Sequence, residues 1–177
     1  MRFLDFSFRF DGWFESLPAS PRDHGTVRRC VLRPAPGERR TPEAIELRPG
    51  QGAVGDGWHD RHESTDNEIS LINVHVIESL AGDPARTPLS GDNLQVDLDL
   101  SEHNLPVGTR LTIGEAVLIV SPKPHRPCAQ FVDRFGATAA KRVARANRRA
   151  RRGRGVLCTI ERGGTVRIGD EVSVERP

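Results

Sequence analysis

The sequence has few cysteines and no long apolar run, and both shortages limit what the protein can be. Its 177 residues include three cysteines, an odd number without any Cys-x-x-Cys pair. This usage argues against a disulfide framework and against a zinc knuckle, so we expect reduced thiols. No apolar run approaches the roughly 20 residues that a membrane span needs, and the first residues alternate Phe with charge instead of forming a signal-peptide core. We therefore expect a soluble, cytoplasmic protein.

Acidic residues are missing from one stretch of the chain, and this absence explains the overall charge. The formal net charge is +2, but residues 141–154 contain eight cations and no acid. Without these eight, the chain has 18 basic and 24 acidic residues, a balance of −6. The positive charge is therefore local and needs a local explanation.

The length suits one domain with a substantial core, and the spacing of apolar residues suits a mostly β fold. Short alternating runs separated by Gly and Pro recur from Gly25 onward and predict a barrel or sandwich with a few helices. The clearest predicted strands are 26–33, 44–47, 69–72, 117–120, 155–161, 165–168 and 171–175. Gly163-Gly164 is interpreted as a hairpin between two of them.

The N-terminal segment stands apart from this pattern. Residues 1–23 form a Phe-rich extension, with Phe6, Phe8 and Phe10 on one side of an expected strand. We expect it to pack on the body of residues 24–177, and a homodimer contact is the alternative.

Helices are expected in two places. Asn73 is the expected N-cap of a helix that ends near Leu80. Residues 137–152 have Ala139, Val143 and Ala146 at helical spacing and predict a basic helix. Its arginines are interpreted as a solvated face; nucleic-acid binding by Arg145–Arg154 is the less favoured alternative, because no aromatic residues that could stack on bases are interleaved.

One cysteine is a candidate for chemistry. The stretch Ser121-Pro122-Lys123-Pro124-His125-Arg126-Pro127-Cys128 is stiffened by three prolines and delivers a thiol beside three groups that can carry positive charge. Such neighbours stabilise a thiolate, so Cys128 is a candidate nucleophile or metal ligand, or alternatively a buried structural residue. Cys30 and Cys158 lie within apolar runs and are interpreted as core residues.

A glycine-rich segment, residues 52–62, contains four polar groups that could in principle bind a metal: Asp56, His59, Asp60 and His62. Polar surface loops of this kind usually bind none. We interpret the segment as a loop that lines a pocket.

Several motifs, taken together and in order, resemble the MOSC domain, which occurs at the C-terminus of molybdenum cofactor sulfurases, in amidoxime-reducing enzymes and in stand-alone bacterial hydroxylaminopurine-resistance proteins. They are Gly55-Asp56-x-x-His59, Ile69–Ile72, Gly91-Asp92-Asn93-Leu94, Leu105–Gly114, Pro127-Cys128, Arg154-Gly155-Val156 and Gly163–Asp170. The resemblance covers about 24–174. It departs from the family pattern at Asp92, where Glu is commoner, and in the long Arg-rich helix.

The resemblance implies a barrel-like, mostly β fold with Cys128 as its functional residue. In family members that bind the molybdenum cofactor (molybdopterin), this thiolate is a ligand of the metal, and the implied activity is reduction of N-hydroxylated small molecules with electrons from a separate redox protein. The alternative is a sulfur carrier that holds a Cys128 persulfide, delivered by a cysteine desulfurase that depends on pyridoxal phosphate. The implied enzyme class is accordingly a molybdenum-dependent oxidoreductase or a sulfurtransferase.

A cofactor with a terminal phosphate also needs cations and hydrogen-bond donors. We expect these to come from a set near the thiol and in the glycine-rich segment: Lys123, His125, Arg126, Asp56, His59 and Asn93.

Overall fold

The computed structural model describes residues 12–58 and 65–177. Its strands are β1 (His24–Cys30), β2 (Ala44–Arg48), β3 (Gly52–Ala53), β4 (Ile69–Asn73), β5 (Leu94–Asp97), β6 (Arg110–Ile113), β7 (Ala116–Val120), β8 (Val156–Arg162), β9 (Gly164–Arg167) and β10 (Glu171–Glu175). Its longer α-helices are α1 (Val74–Ala81) and α2 (Ala129–Arg148), and short 3-10 helices span Thr65–Asn67 and Pro84–Ser90. Within the two described ranges no helix combines the length and apolar character that crossing a membrane requires.

Seven strands form a closed barrel in the order β1-β10-β6-β7-β8-β4-β5, which confirms the expected mostly β fold. The neighbours pair antiparallel except β4 and β5, which are parallel and joined through α1. Inward-facing aliphatic side chains fill the interior, and Leu71, Leu111 and Leu118 are fully buried. Closure removes exposed strand edges from the barrel.

A second sheet, in the order β3-β2-β9, corrects one expectation from the sequence. Gly163-Gly164 is not a hairpin, because β9 pairs with β2 and not with β8. Instead, the chain leaves the barrel at this point and enters the smaller sheet. A side chain at Gly163 would overlap the Leu47 carbonyl oxygen, which explains a glycine at the corner.

Helix α1 has the bounds that the sequence predicts, whereas α2 does not. Asn73 caps α1 as expected: its Oδ1 accepts from the backbone amides of His75 and Val76 at 2.9 and 3.2 Å. Helix α2 starts at Ala129, earlier than expected, and is interrupted at Gly136 (φ 86°, ψ 164°). It ends at Arg148, because positive φ angles at Ala150 and Arg152 turn the chain back toward β8.

The end of the N-terminal extension lies against the helices. Residues 12–15 are helical, and the buried Trp13 packs with Val76, Phe131 and Val143. One cation of the basic run, Arg142, contributes to this contact: its guanidinium carbon lies 5.5 Å from the centre of the Trp13 ring. The predicted strand containing Phe6, Phe8 and Phe10 lies outside the described residues.

Gly155, which leads into β8, allows a close approach of two strands and gives a testable expectation. It has φ +94°, and a Cβ there would overlap the Leu71 carbonyl oxygen, whereas Gly169 has φ +91° with no atom within 4 Å of the corresponding position. Gly169→Ala should therefore lose about 1–2 kcal/mol of unfolding free energy from backbone strain alone. Gly155→Ala should lose this amount of unfolding free energy and about 1–3 kcal/mol more, because of the overlap. Equal losses in urea denaturation would contradict this account.

Candidate functional site

The register of the strands brings four distant parts of the chain to one end of the barrel. The last residue of β1, Cys30, pairs with the first residue of β5, Leu94. Leu94 and Val156, the first residue of β8, both pair with Leu71. The end of β7 pairs beside them, with Val120 opposite Cys158. The segments that follow β1 and β7 and those that precede β5 and β8 therefore meet at this end.

Cys128 lies here, at the end of the proline loop (residues 121–127) that leaves β7. Its side chain is exposed, and its backbone is extended (φ −107°, ψ 175°) as the residue that caps α2. The other two cysteines are buried, as expected, and burial raises the pKa of Cys30 to about 11 and of Cys158 to about 12. Cys128 is thus the accessible thiol, and the alternative that it is a buried structural residue is wrong.

Cys128 opens into a cavity of about 390 Å³, which we call the thiol cavity. Its charged lining consists of four arginines: Arg33, Arg39, Arg134 and Arg154. No carboxylate is found among the described residues of the lining. The surface that a ligand would meet beside the thiol is therefore cationic, although Arg33 and Arg154 are paired with carboxylates buried behind the lining.

A buried carboxylate, Asp56, holds Arg33 in position. The Asp56 carboxylate accepts from Arg33 Nε and Nη2, each at 3.0 Å, and from the Arg33 backbone amide at 2.8 Å. Asn93 Nδ2 also donates to Asp56 at 3.3 Å, while Asn93 Oδ1 accepts from the Ser70 amide. Asp56 and Asn93 are therefore buried and hydrogen-bonded to other protein groups. Of these three residues, Arg33 is the one that lines the cavity.

A second buried carboxylate, Asp92, pairs with Arg154. Arg154 Nη1 donates to both Asp92 oxygens at 2.8 and 2.7 Å, and Nη2 donates to the Ser90 carbonyl at 3.2 Å. Burial acts to raise the pKa of Asp92, but the Arg154 charge and its hydrogen bonds lower it by more. The guanidinium also lies 4.9 Å from the centre of the Phe131 ring, which belongs to the first turn of α2 after Cys128.

His125 lies beside this pair as a neutral group. Its Nδ1 is 3.7 Å from Asp92 Oδ1, beyond hydrogen-bond distance, and finds no partner among the described residues. Burial and the Arg154 charge lower the pKa of His125 to about 3, outweighing the opposite effect of Asp92. A neutral imidazole has one donor and one acceptor nitrogen and can orient a ligand without adding charge.

The structure separates other residues that the sequence placed next to the thiol. Lys123 and Arg126 line a neighbouring cleft on the other side of the proline loop, and only His125 lines both spaces among the described residues. His59, together with Asp60 and His62 of the discounted metal set, lies outside the described residues. Within the part that the structure describes, no group of three or more His, Cys, Asp or Glu side chains could hold a metal ion.

Three of the four arginines that line the thiol cavity could not be identified as site residues from the sequence. Arg33 and Arg39 follow β1 in a turn region, and Arg134 sits in a helix segment with no other distinguishing feature. No motif or spacing in the sequence indicates that these arginines lie near the thiol. Arg154 belongs to the Arg154-Gly155-Val156 motif, but in the sequence it is also the last cation of the basic run. Its pairing with Asp92 is what distinguishes it from the cations of the basic helix.

Comparison with known proteins gives both a family match and a fold match. A family model described as MOSC domain matches residues 59–173. The solved YuaD protein from Bacillus subtilis is similar, with a TM-score of 0.62 and 21% identity over 85% of this chain and 95% of that one. YiiM from Escherichia coli gives a TM-score of 0.56 and 22% identity, covering 85% and 69%. Identities this low support a shared fold and no more. A search of curated protein sequences found no match.

The exposure of one thiol among three can be measured directly. We expect the native protein to react with one equivalent of an aromatic disulfide reagent, and Cys128→Ser to react with none, because buried thiols of raised pKa are inert. Under denaturing conditions the count should rise to three for the native sequence. A native Cys128→Ser protein that still reacts quickly would contradict this assignment.

Proposed function

The chain belongs to the MOSC domain family, and from this premise we propose that it binds the molybdenum cofactor in the thiol cavity, with the Cys128 thiolate as the metal ligand. The family is associated with molybdenum cofactor binding. The observation that carries the proposal for this chain is the accessible Cys128 at the mouth of a cavity lined by four arginines. A soft thiolate is a suitable ligand for molybdenum.

The residues present fit the other half of the cofactor, an anionic pterin with a terminal phosphate. Guanidinium groups bind phosphate oxygens in a planar, bidentate manner, and Arg134 forms no ion pair with the described residues that would neutralise its charge. At Gly91 (φ +77°), a Cβ would lie 3.3 Å from both Arg33 Cδ and Arg39 Nη2. A larger residue there would press on these two side chains, so the glycine keeps the space beside them open.

The reaction proposed is reduction of N-hydroxylated small molecules with electrons from a separate redox protein. The bound metal would supply the two-electron redox centre. The protein would contribute the thiolate, the arginines that neutralise the phosphate, and the neutral His125, which can donate or accept a hydrogen bond at the wall of the cavity. Lys123 and Arg126 are less suited to hold the phosphate than the arginines, since they face the neighbouring cleft.

Metal and pterin analysis tests the cofactor assignment. Protein purified from a host that makes the cofactor should contain molybdenum and pterin in equal amounts, and Cys128→Ser should lose most of the molybdenum. Cys30→Ala is the matched control, because it removes a thiol that is buried in the barrel and does not line the cavity, and it should retain the metal. Equal molybdenum in wild type and Cys128→Ser would reject the proposal.

A sulfur carrier is the second candidate, and the exposure of Cys128 favours it equally. A persulfide on this sulfur would be reachable by a cysteine desulfurase that uses pyridoxal phosphate, whereas the two buried thiols would not. In this case the arginines would stabilise the persulfide anion. The desulfurase, and not this chain, would carry the pyridoxal phosphate.

Intact mass distinguishes this candidate. After incubation with a cysteine desulfurase and cysteine, the sulfur-carrier function predicts a gain of one sulfur atom in wild type and none in Cys128→Ser. The added sulfur should disappear on treatment with dithiothreitol. A wild-type mass that stays unchanged while the desulfurase turns over would count against a carrier role.

A further inference from the structure

A second cleft, larger than the thiol cavity, lies on the other side of the proline loop. It has a volume of about 850 Å³ and lies between the proline loop, the second half of α2 and the start of β8; we call it the proline cleft. Its volume is within the range of pockets that bind small organic molecules. Cys128 does not line it, and none of the thiol cavity's four arginines does.

Three cations of the proline cleft have side chains without a partner in the described part of the chain. The side chains of Lys123, Arg126 and Arg148 make no hydrogen bond or ion pair with the described residues, and all three are exposed. Two belong to the proline loop and one to α2, so the charges approach the cleft from two sides.

The fourth cation of the cleft, Arg152, is used by the fold. Arg152 Nη1 donates to the Leu105 carbonyl at 2.7 Å, and its charge interacts with that of Glu102, the one carboxylate among the described residues that line the cleft. Counting residues 12–58 and 65–177 only, the cleft therefore keeps three positive charges without a partner.

Much of the remaining lining is apolar. Pro106, Pro122, Pro124 and Val156 line it, and Val107 is 51% exposed, one of the few large apolar side chains so open to solvent in the described chain. The rings of these prolines and the Val107 side chain supply apolar surface against which an aromatic ring can pack. The polar Asn147 is already occupied, since its Nδ2 donates to the His125 carbonyl at 2.8 Å and its Oδ1 accepts from the Arg154 amide at 3.1 Å.

These features favour a ligand that combines several negative charges with an apolar body. An inorganic anion would leave most of the volume and the apolar surface unfilled, and an apolar molecule would leave the cations unused. A diphosphate ester carries about three negative charges at neutral pH, which matches the charge of the cleft. A nucleoside diphosphate combines this charge with a ring of suitable size.

We propose that the proline cleft is a second binding site, separate from the thiol cavity, that takes a nucleoside diphosphate. Its phosphates contact Lys123, Arg126 and Arg148, and its base lies against Pro106 and Val107. This site does not depend on whether the thiol cavity holds the molybdenum cofactor. His125 lines both spaces, so the two ligands would lie on opposite sides of one loop.

Isothermal titration calorimetry with ADP, pyrophosphate and adenosine tests the proposal. ADP should bind most tightly, pyrophosphate more weakly because it leaves the apolar surface empty, and adenosine most weakly because it leaves the cations unpaired. Lys123→Gln and Arg148→Gln should each weaken ADP binding about tenfold, the loss expected for one charge-assisted hydrogen bond. Binding that does not weaken with added salt would overturn the proposal.

Two substitutions serve as matched controls. Lys141→Gln removes a cation from the same helix but outside both spaces, and Arg134→Gln removes one from the thiol cavity; neither should change ADP affinity. If Arg134→Gln weakens ADP and Lys123→Gln does not, the nucleotide occupies the thiol cavity and the proposal is wrong. If ADP does not bind to any of these folded proteins, it is wrong as well, whatever the molybdenum content.

Discussion

The candidate site depends on one buried ion pair, between Asp92 and Arg154. The two residues are 62 positions apart in sequence, and their pairing joins the turn before β5 to the segment before β8. Removing one partner of such a pair leaves an uncompensated buried charge, typically at a cost of about 3–5 kcal/mol. Phe131 packs on the same guanidinium, so the pair also fixes the start of α2 and the residue before it, Cys128. The position of the exposed thiol therefore follows from an interaction that the thiol does not itself make.

Arginines have three different uses in this molecule. Some are held by buried carboxylates and shape the thiol cavity, as Asp56 holds Arg33. Others stabilise the fold by packing on aromatic rings, as Arg142 packs on Trp13. A third set, exemplified by Arg148, remains without a partner among the described residues and faces the proline cleft. A count of cations along the chain does not distinguish these uses, because what differs is the partner that each meets after folding.

Strand pairing explains which parts of the site could be predicted and which could not. Alternating apolar residues and the Asn73 cap are local signals, and they predicted the strands and α1 closely. The Gly163-Gly164 corner was misinterpreted because a glycine pair between two strands indicates a change of direction, not the partner of the next strand. Helix α2 began earlier than expected because Phe131, buried against Arg154, contributes a contact that is not visible in the helix's own spacing.

The sequence by itself determined the fold class and the family, through alternating apolar residues and motifs in a fixed order. It also predicted which thiol is exposed, since the apolar neighbours of Cys30 and Cys158 are properties of short segments. Only the tertiary structure decided which charges surround the thiol. The proline loop places Lys123 and Arg126 on its other side, although they are near Cys128 in sequence, while Arg33 and Arg154 reach the cavity from β1 and β8. The physical reason is that a closed barrel brings the ends of distant strands together, whereas a stiff loop can hold sequence neighbours apart.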